Sequence, residues 1–484
     1  MTEAEHVDVL IVGAGISGVD AAYRVQTELP GKSYAVLEAR DAIGGTWDLF
    51  RYPGIRSDSD MYTLGFPFRP WRGDKSIADG ADIRAYVEET AREFGIDRHI
   101  RFGHRAVGAG WSSQEARWSV EIEAEGETKV VTCGFLYLCS GYYDYAGGYR
   151  PRWEGEEDFA GRVVHPQQWP ADLDYAGKRV VVIGSGATAV TLVPEMAKTA
   201  AHVTMLQRSP TWIVSLPSRD PIAHWAQRRL PAKAAGGLIR WKNILLSMAF
   251  FTGSKKWPER TKKAILKAAR KALPAGYEVE RDFRASYDPW DQRLCLVPDA
   301  DLFRAIGSGK AEVVTDTIER FTPGGIRLGS GREIEADVVV TATGLVIRLM
   351  GGMALSVDGA AVNVADTITY KAMMLSGVPN MALSFGYTNA SWTLKCDLTA
   401  RWVCRLLKHM DAKGYRIAVP RLPEGGVERA PLLNFSSGYV QRAAGVLPGQ
   451  GTAAPWRLHQ NYVKDLIMLG RGKLEDGVMA FRRG

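Results

Sequence analysis

The chain has no apolar run able to cross a bilayer. Its longest, around Ile244 to Phe251, falls far short of the roughly 20 residues a spanning helix needs. The opening stretch MTEAEHVDVL has no basic segment followed by an apolar one. It therefore does not read as a secretory signal, and a cytoplasmic location is expected. Cysteine is scarce: Cys133, Cys139, Cys295, Cys396 and Cys404 are scattered, odd in number and never spaced C-x-x-C. That pattern excludes a disulfide scaffold and reads as reduced thiols. Histidine is also thin, and its eight residues show neither H-x-x-x-H nor mixed Cys/His spacing, so no bound metal is expected. What remains is a globular composition, 46% apolar and 24% charged, in 484 residues. A single core does not grow that large, so two or three domains are expected.

A net charge of +7 suits an anionic partner, and one basic run stands out, KKWPERTKKAILKAARK, from Lys255 to Lys271. It reads as the solvated face of a helix that packs Ala264, Ile265, Ala268 and Ala269 inward. Weak association with a membrane surface is the alternative. Without an aromatic-interleaved motif, no nucleic acid partner is expected.

Two glycine-rich turns carry the stronger signal. VDVLIVGAGISGVDAAYRV places an apolar strand before Gly13, Gly15 and Gly18 and a helix after them. Glycines there allow a tight turn and close backbone approach, while the helix N-terminus faces a pyrophosphate. A second strand, SYAVLEAR, ends in Glu38, 20 residues after Gly18, where an acid binds ribose hydroxyls and repels a 2′-phosphate. This first site is expected to hold FAD or NAD. KRVVVIGSGATAVTLV repeats the pattern with Gly184, Gly186 and Ala189, but its second strand ends in Arg208 and Ser209 with no acid. A cation and a hydroxyl suit a 2′-phosphate, so this site is expected to hold NADPH. Two cradles of opposite polarity point to a flavoprotein reduced by NADPH.

Two later apolar runs, Cys133 to Tyr143 and Ala336 to Leu345, end in Ser-Gly and Thr-Gly like strands stopping beside a ligand. Between Pro221 and Arg284 the pattern turns helical. The expected fold is α/β, with two dinucleotide-binding, Rossmann-like domains and a helical subdomain inserted in the NADP domain. Residues 1–145 and 346–484 are assigned to the FAD-binding domain, 146–215 and 291–345 to the linker and NADP-binding domain, and 216–290 to the helical subdomain.

One stretch between the cradles is unusual. FAGRVVHPQQWP sets a lone His165 between Phe159 and Trp169, with Gly161 before it and Pro170 closing the run. Upstream, Gly44, Gly45, Thr46 and Trp47 are followed by Tyr52, Pro53, Gly54 and Asp58. The two stretches match F-x-G-x-x-x-H-x-x-x-W-P/D and G-G-x-W with Y-P-G-x-x-x-D. In these the chain resembles the type I Baeyer–Villiger monooxygenases, class B flavoprotein monooxygenases. GGTWDLFRYPGIRSDSDMYTLGFPFRPW, DPWDQRLCLVPDADLFRAI and GYTNASWTLK look most like the ethionamide-activating branch of mycobacteria and related actinobacteria.

The resemblance implies an enzyme that uses FAD, NADPH and O₂ to place one oxygen beside a ketone carbonyl, through a peroxide at the flavin C4a, giving an ester or lactone. Oxidation of sulfides or thioamides is implied as a further activity, and an S- or N-oxygenase without ketone oxidation is the rival reading. Arg293, in DPWDQRLC, takes the position of the family's catalytic arginine, and Asp58 that of the acid that orients it. Gly45, Thr46, Trp47 and Asp58 join the cofactor-binding set. Where many members carry a lysine before that arginine, this chain has Gln292, which leaves more of the 2′-phosphate recognition to Arg208. His165 reads either as a hinge residue bonding linker backbone or as part of a linker that moves with NADP, and Trp169 as either core or functional.

Overall fold

The computed structural model describes residues 5–433 and 435–483. Strand Glu5–Val12 runs through the middle of the larger sheet, parallel to Tyr34–Leu37 on one side and to Glu127–Leu138 on the other. Its apolar run is unbroken because both faces are covered, and Val9, Leu10 and Ile11 are fully buried. Helices Ile16–Glu28 and Trp392–Lys413 pack against each other, tied by Arg24 to Asp397 at 2.6 Å. From edge to edge the sheet runs Ala360–Ala361, Ala354–Val357, Arg105–Ser112, Arg117–Ala124, Glu127–Leu138, Glu5–Val12, Tyr34–Leu37 and Ile100–Arg101. Met381–Leu383 joins the last residues of Glu127–Leu138.

The second sheet is parallel throughout: Ala311–Thr315, His202–Gln207, Arg179–Ile183, Val338–Thr341 and Arg162–Val164. Thus the chain leaves the first sheet after Leu138, builds the second, and returns to the first at Ala354. The two crossing segments pair with each other. Asp144 N–H donates to Val346 O at 2.8 Å, Tyr149 N–H to Gly344 O at 3.0 Å, and Arg348 N–H to Tyr142 O at 3.0 Å. The fold is therefore α/β with two Rossmann-like halves.

Helices Pro221–Arg229, Ala232–Lys256, Pro258–Ala272 and Val279–Phe283 interrupt the second sheet, and strands Ile213–Leu216 and Cys295–Pro298 pair in parallel where the helical segment begins and ends. The basic run corrects the sequence reading. It is two helices rather than one, because Pro258 has no N–H to continue the helix ending at Lys256 and instead opens the next. The inward face is Ile265, Leu266 and Ala269, while Ala264 and Ala268 are exposed. Several of its cations are also engaged: Lys255 with Asp291 at 2.6 Å, Lys262 with Asp288 at 2.6 Å, and Arg270 with Glu280. Among the described residues no helix is long and apolar enough to cross a membrane.

Candidate active site

Both glycine turns open into one cavity of about 1330 Å³ lying between the two sheets. At the first, Gly15 begins helix Ile16–Glu28 with no side chain capping its free N–H groups, which leaves them available to an anion. Gly18 does not reach the cavity. A Cβ there would stand 1.8 Å from Gly13 O, so this glycine lets the helix lie against the turn rather than touching a ligand. Glu38 follows strand Tyr34–Leu37 and is buried, with Oε2 accepting from Ala14 N–H at 2.8 Å and Oε1 from Arg40 N–H at 3.0 Å. Burial raises its pKa, and these two N–H groups work against the rise. Each oxygen keeps a lone pair for a hydroxyl of a nucleotide ribose.

The Gly44-Gly45 turn packs on the first, with Gly44 N–H donating to Ala14 O at 3.1 Å, and it starts the short helix Thr46–Leu49. Gly45, Thr46 and Trp47 all line the cavity. Below them Asp48 is buried and gathers Arg40, Arg51 and Arg84, with burial opposing and these arginines driving a lowered carboxylate pKa. At the second turn Gly186 starts helix Ala187–Met196, again without a side-chain cap, and a Cβ on it would enter open space. Gly184, Arg208 and Ser209 line the cavity, and Ser185 Oγ donates to Ser209 O at 3.1 Å. Ala189 is fully buried in the helix packing, so it lies off the cavity like Gly18.

Arg293 and Asp58, distant in sequence, meet on the cavity wall at 2.7 Å from Nη2 to Oδ2. Protein surrounds the arginine, yet 37% of its side-chain surface opens into the cavity. Burial alone would weaken its charge, but Asp58 together with Tyr142, Tyr143 and Tyr439 more than offsets it and the guanidinium pKa rises. A fixed positive charge therefore faces the cavity. Arg56, from the same motif as Asp58, also lines it: Nη1 pairs with Asp301 at 2.5 Å, while Nε and Nη2 have no partner among the described residues. Gln292 lies beside Arg293 and donates to Ser436 Oγ at 3.2 Å.

The signature around His165 does not line the cavity. His165 Nδ1 accepts from Gln167 N–H at 3.2 Å, so Nε2 carries the proton and donates to Gly344 O at 3.3 Å. Gln167 and Gln168 donate to the carbonyls of Asp144 and Ala146 at 2.6 and 2.9 Å. The motif thus clamps both segments that cross between the sheets. Phe159 packs edge-on against Phe321, and Gly161 approaches Asp337 so closely that a Cβ would stand 2.4 Å from its carbonyl oxygen. Trp169 packs edge-on against Tyr175, and Pro170 follows it.

The sequence reading missed an aromatic wall. Tyr142 stacks on Trp392 with centroids 5.2 Å apart and shares a 2.7 Å hydrogen bond with Tyr143; both phenols are pushed up by burial, and Arg293 opposes this. Tyr439 and Arg442 arrive from the far end of the chain, with the Arg442 guanidinium 3.5 Å from the Tyr149 ring centroid. Three tyrosines in GYYDY, directly after a strand that stops at the cavity, were the available signal. Nothing local marks Tyr439 or Arg442.

The flavin-binding monooxygenase-like family matches residues 66–223, and the NAD(P)-binding Rossmann-like domain matches residues 11–72. The chain is 57% identical over 480 residues to the FAD-containing monooxygenase EthA of Mycobacterium tuberculosis, covering 99% of this chain and 98% of that one. Among solved structures, an oxidized steroid monooxygenase bound to NADP aligns with a TM-score of 0.79 at 22% identity, over 99% of this chain and 100% of that one. Cyclohexanone monooxygenase from Rhodococcus sp. Phi1 bound to NADP+ aligns at 0.69 and 20% identity, over 88% of each chain. The likeness to these two is one of fold. The identity to EthA along nearly the whole length decides the family: the chain belongs to the FAD-containing monooxygenases.

Proposed function

We propose that the protein holds FAD at the first cradle and NADPH at the second, and uses them with O₂ to insert one oxygen atom beside a ketone carbonyl, giving an ester or lactone. The residues fit both groups. Uncapped helix N-termini face the cavity at each turn, a buried acid ends the strand at the first, and an arginine with a serine ends it at the second. In this reading residues 1–145 and 346–484 form the FAD-binding unit, 146–215 and 291–345 the NADPH-binding unit, and 216–290 a helical subdomain. The buried, unpaired thiols suit a reducing cytoplasm.

The observation that carries the reading is the Arg293–Asp58 pair on the wall of a cavity shared by both cradles. The chemistry supplied by bound FAD is acceptance of hydride from NADPH and activation of O₂ to a nucleophilic oxygen species. Arg293 then sets a fixed positive charge against the negative charge that develops on the substrate's carbonyl oxygen. Asp58 holds that guanidinium in place, so little reorganisation is needed when charge appears. Tyr142, Tyr143 and Trp392 form an aromatic wall that restricts water. His165 acts on geometry alone, by fixing the crossing segments, and transfers no proton.

The test is incubation of the purified enzyme with NADPH, isotopically labelled O₂ and a panel of linear, cyclic and aryl ketones beside one thioether. Ester carrying one labelled oxygen is the expected product. Labelled sulfoxide with no ester from any ketone would replace this reading by an S-oxygenase.

A further inference from the structure

The helical hairpin Pro221–Arg229 and Ala232–Lys256 is fixed to the body of the protein by one face. Arg240 is buried, and its Nη1 donates to the carbonyls of Tyr62, Thr63 and Gly65 at 3.2, 3.3 and 2.7 Å. Asn243 donates to Asp60 Oδ1 at 2.8 Å, and Ala235, Ile239 and Ile244 are buried on the same side. Lys242 pairs with Asp220, which sets the start of the first helix beside the middle of the second. Anchored in this way, the long helix cannot roll to hide its other face.

That other face is apolar. Leu238, Trp241 and Leu245 follow one another at i, i+3 and i+7 and are 48%, 42% and 55% exposed, Trp241 resting one edge on Tyr462. Farther along the helix, in line with Ile239 and Asn243, Leu246 is 60% exposed and Phe250, which meets Trp290, 42%. The shorter helix adds Ile222 and Trp225, each 55% exposed, and Trp257 ends the hairpin at 48%. Scattered exposed leucines are ordinary, but this many large apolar side chains exposed on one hairpin mark a surface with a partner.

Charge selects the partner. No acidic residue occurs from Pro221 to Pro258. Arg228, Arg229, Lys233 and Lys256 are exposed and form no ion pair among the described residues. A second copy of the chain would bring the same cations against these and be repelled. Aliphatic residues flanked by tryptophans and unpaired cations, with no acid, are what a helix needs to lie in the headgroup region of an anionic bilayer. We propose that the outer face of this hairpin docks onto an anionic lipid surface. The contact lies on the hairpin and its closing Trp257 rather than on the helix Pro258–Ala272, whose Ile265, Leu266 and Ala269 are turned inward. Ile244 and Met248, on the inner side of the long helix, pack with Tyr387 and Ala390 of the cavity wall, so docking sets that wall next to the lipid. The docking does not rest on the reaction proposed above.

The test is sedimentation of the purified holoenzyme with vesicles of phosphatidylcholine, alone or mixed with phosphatidylglycerol. The parent is expected to pellet with the mixed vesicles and to stay largely in solution with phosphatidylcholine. The double variant Leu245→Ser, Leu246→Ser is expected to lower partitioning about tenfold or more, with flavin absorbance, melting temperature and NADPH oxidation unchanged. Arg228→Gln with Arg229→Gln is expected to remove much of the preference for phosphatidylglycerol. A parent that ignores mixed vesicles, or a double leucine variant that pellets like the parent, overturns the proposal. So does a lipid-free parent that sediments as a dimer and becomes monomeric on the leucine substitutions, because the face would then belong to a second copy.

Discussion

The two nucleotide cradles share a strand, a glycine turn and an uncapped helix, yet they differ in how tightly they close. At the first, Glu38 is 6% exposed and pinned by two backbone N–H groups, and the Gly44-Gly45 turn packs over it. At the second, Arg208 and Ser209 are exposed, and the space beside Gly186 is open. A closed, prearranged grip suits a cofactor that stays through many turnovers. An open rim, with a flexible cation at its edge, suits one that must enter and leave each cycle. The same supersecondary unit is thus closed or open according to what surrounds the strand end.

The largest effect is expected where neither cradle is touched. Arg293→Ala should keep both cofactors bound yet lower ester formation by about 10² to 10³-fold, the usual cost of losing one preorganised stabilising group. NADPH should still be consumed, with hydrogen peroxide released, as measured by product analysis beside a peroxide assay. Ester formation near the parent rate would place the stabilising charge elsewhere.

Next comes the closed cradle. Glu38→Ala removes the proposed ribose partner and leaves the Ala14 and Arg40 N–H groups without their acceptor, so FAD affinity should fall about a hundredfold. Flavin absorbance after extended dialysis measures it, and full occupancy would erase the contrast between the two sites. At the open cradle, Arg208→Ala should raise the Michaelis constant for NADPH about tenfold while leaving that for NADH nearly unchanged. An equal rise for both would mean that Arg208 does not read the 2′-phosphate.

The smallest effect concerns the clamp between the halves. Burial lowers the His165 pKa, its bond to Gly344 O opposes this, and Arg150 adds to the lowering. Between its folded value and the ordinary value of about 6.5, the unfolded chain binds a proton that the folded chain does not. Stability from this group is therefore present above that value and lost as pH falls through the folded pKa. Thermal unfolding followed from neutral to acidic pH should show a shallower decline for His165→Gln than for the parent, and parallel curves would count against a titrating clamp.

Much of this was legible along the chain because the relevant physics is local. An unbroken apolar strand, glycines at a turn, a helix and an acid at the next strand end all fall within one short segment, so Gly13, Gly15 and Glu38 declare themselves. Gly18 and Ala189 belong to the same pattern, but they let the helix pack close, which motif spacing alone does not separate from ligand contact. The basic run shows the opposite failure. Its composition invited one amphipathic helix, whereas Pro258 split it and the register of Ile265, Leu266 and Ala269 set the inward face. The exposed face of Leu238, Trp241 and Leu245 also has a helical period, and nothing in that period says whether it turns toward core or solvent.

By itself, then, the amino-acid sequence determined the α/β class, the two cradles and their opposite polarity, since each depends on neighbours a few residues apart. The resemblance pointed to Asp58 as the partner of Arg293, but only the tertiary structure gave their 2.7 Å contact, brought Tyr439 and Arg442 to the same cavity, and set His165 on Gly344. Those encounters depend on the chain crossing twice between two sheets, and long-range packing of that kind leaves no periodic trace in the chain.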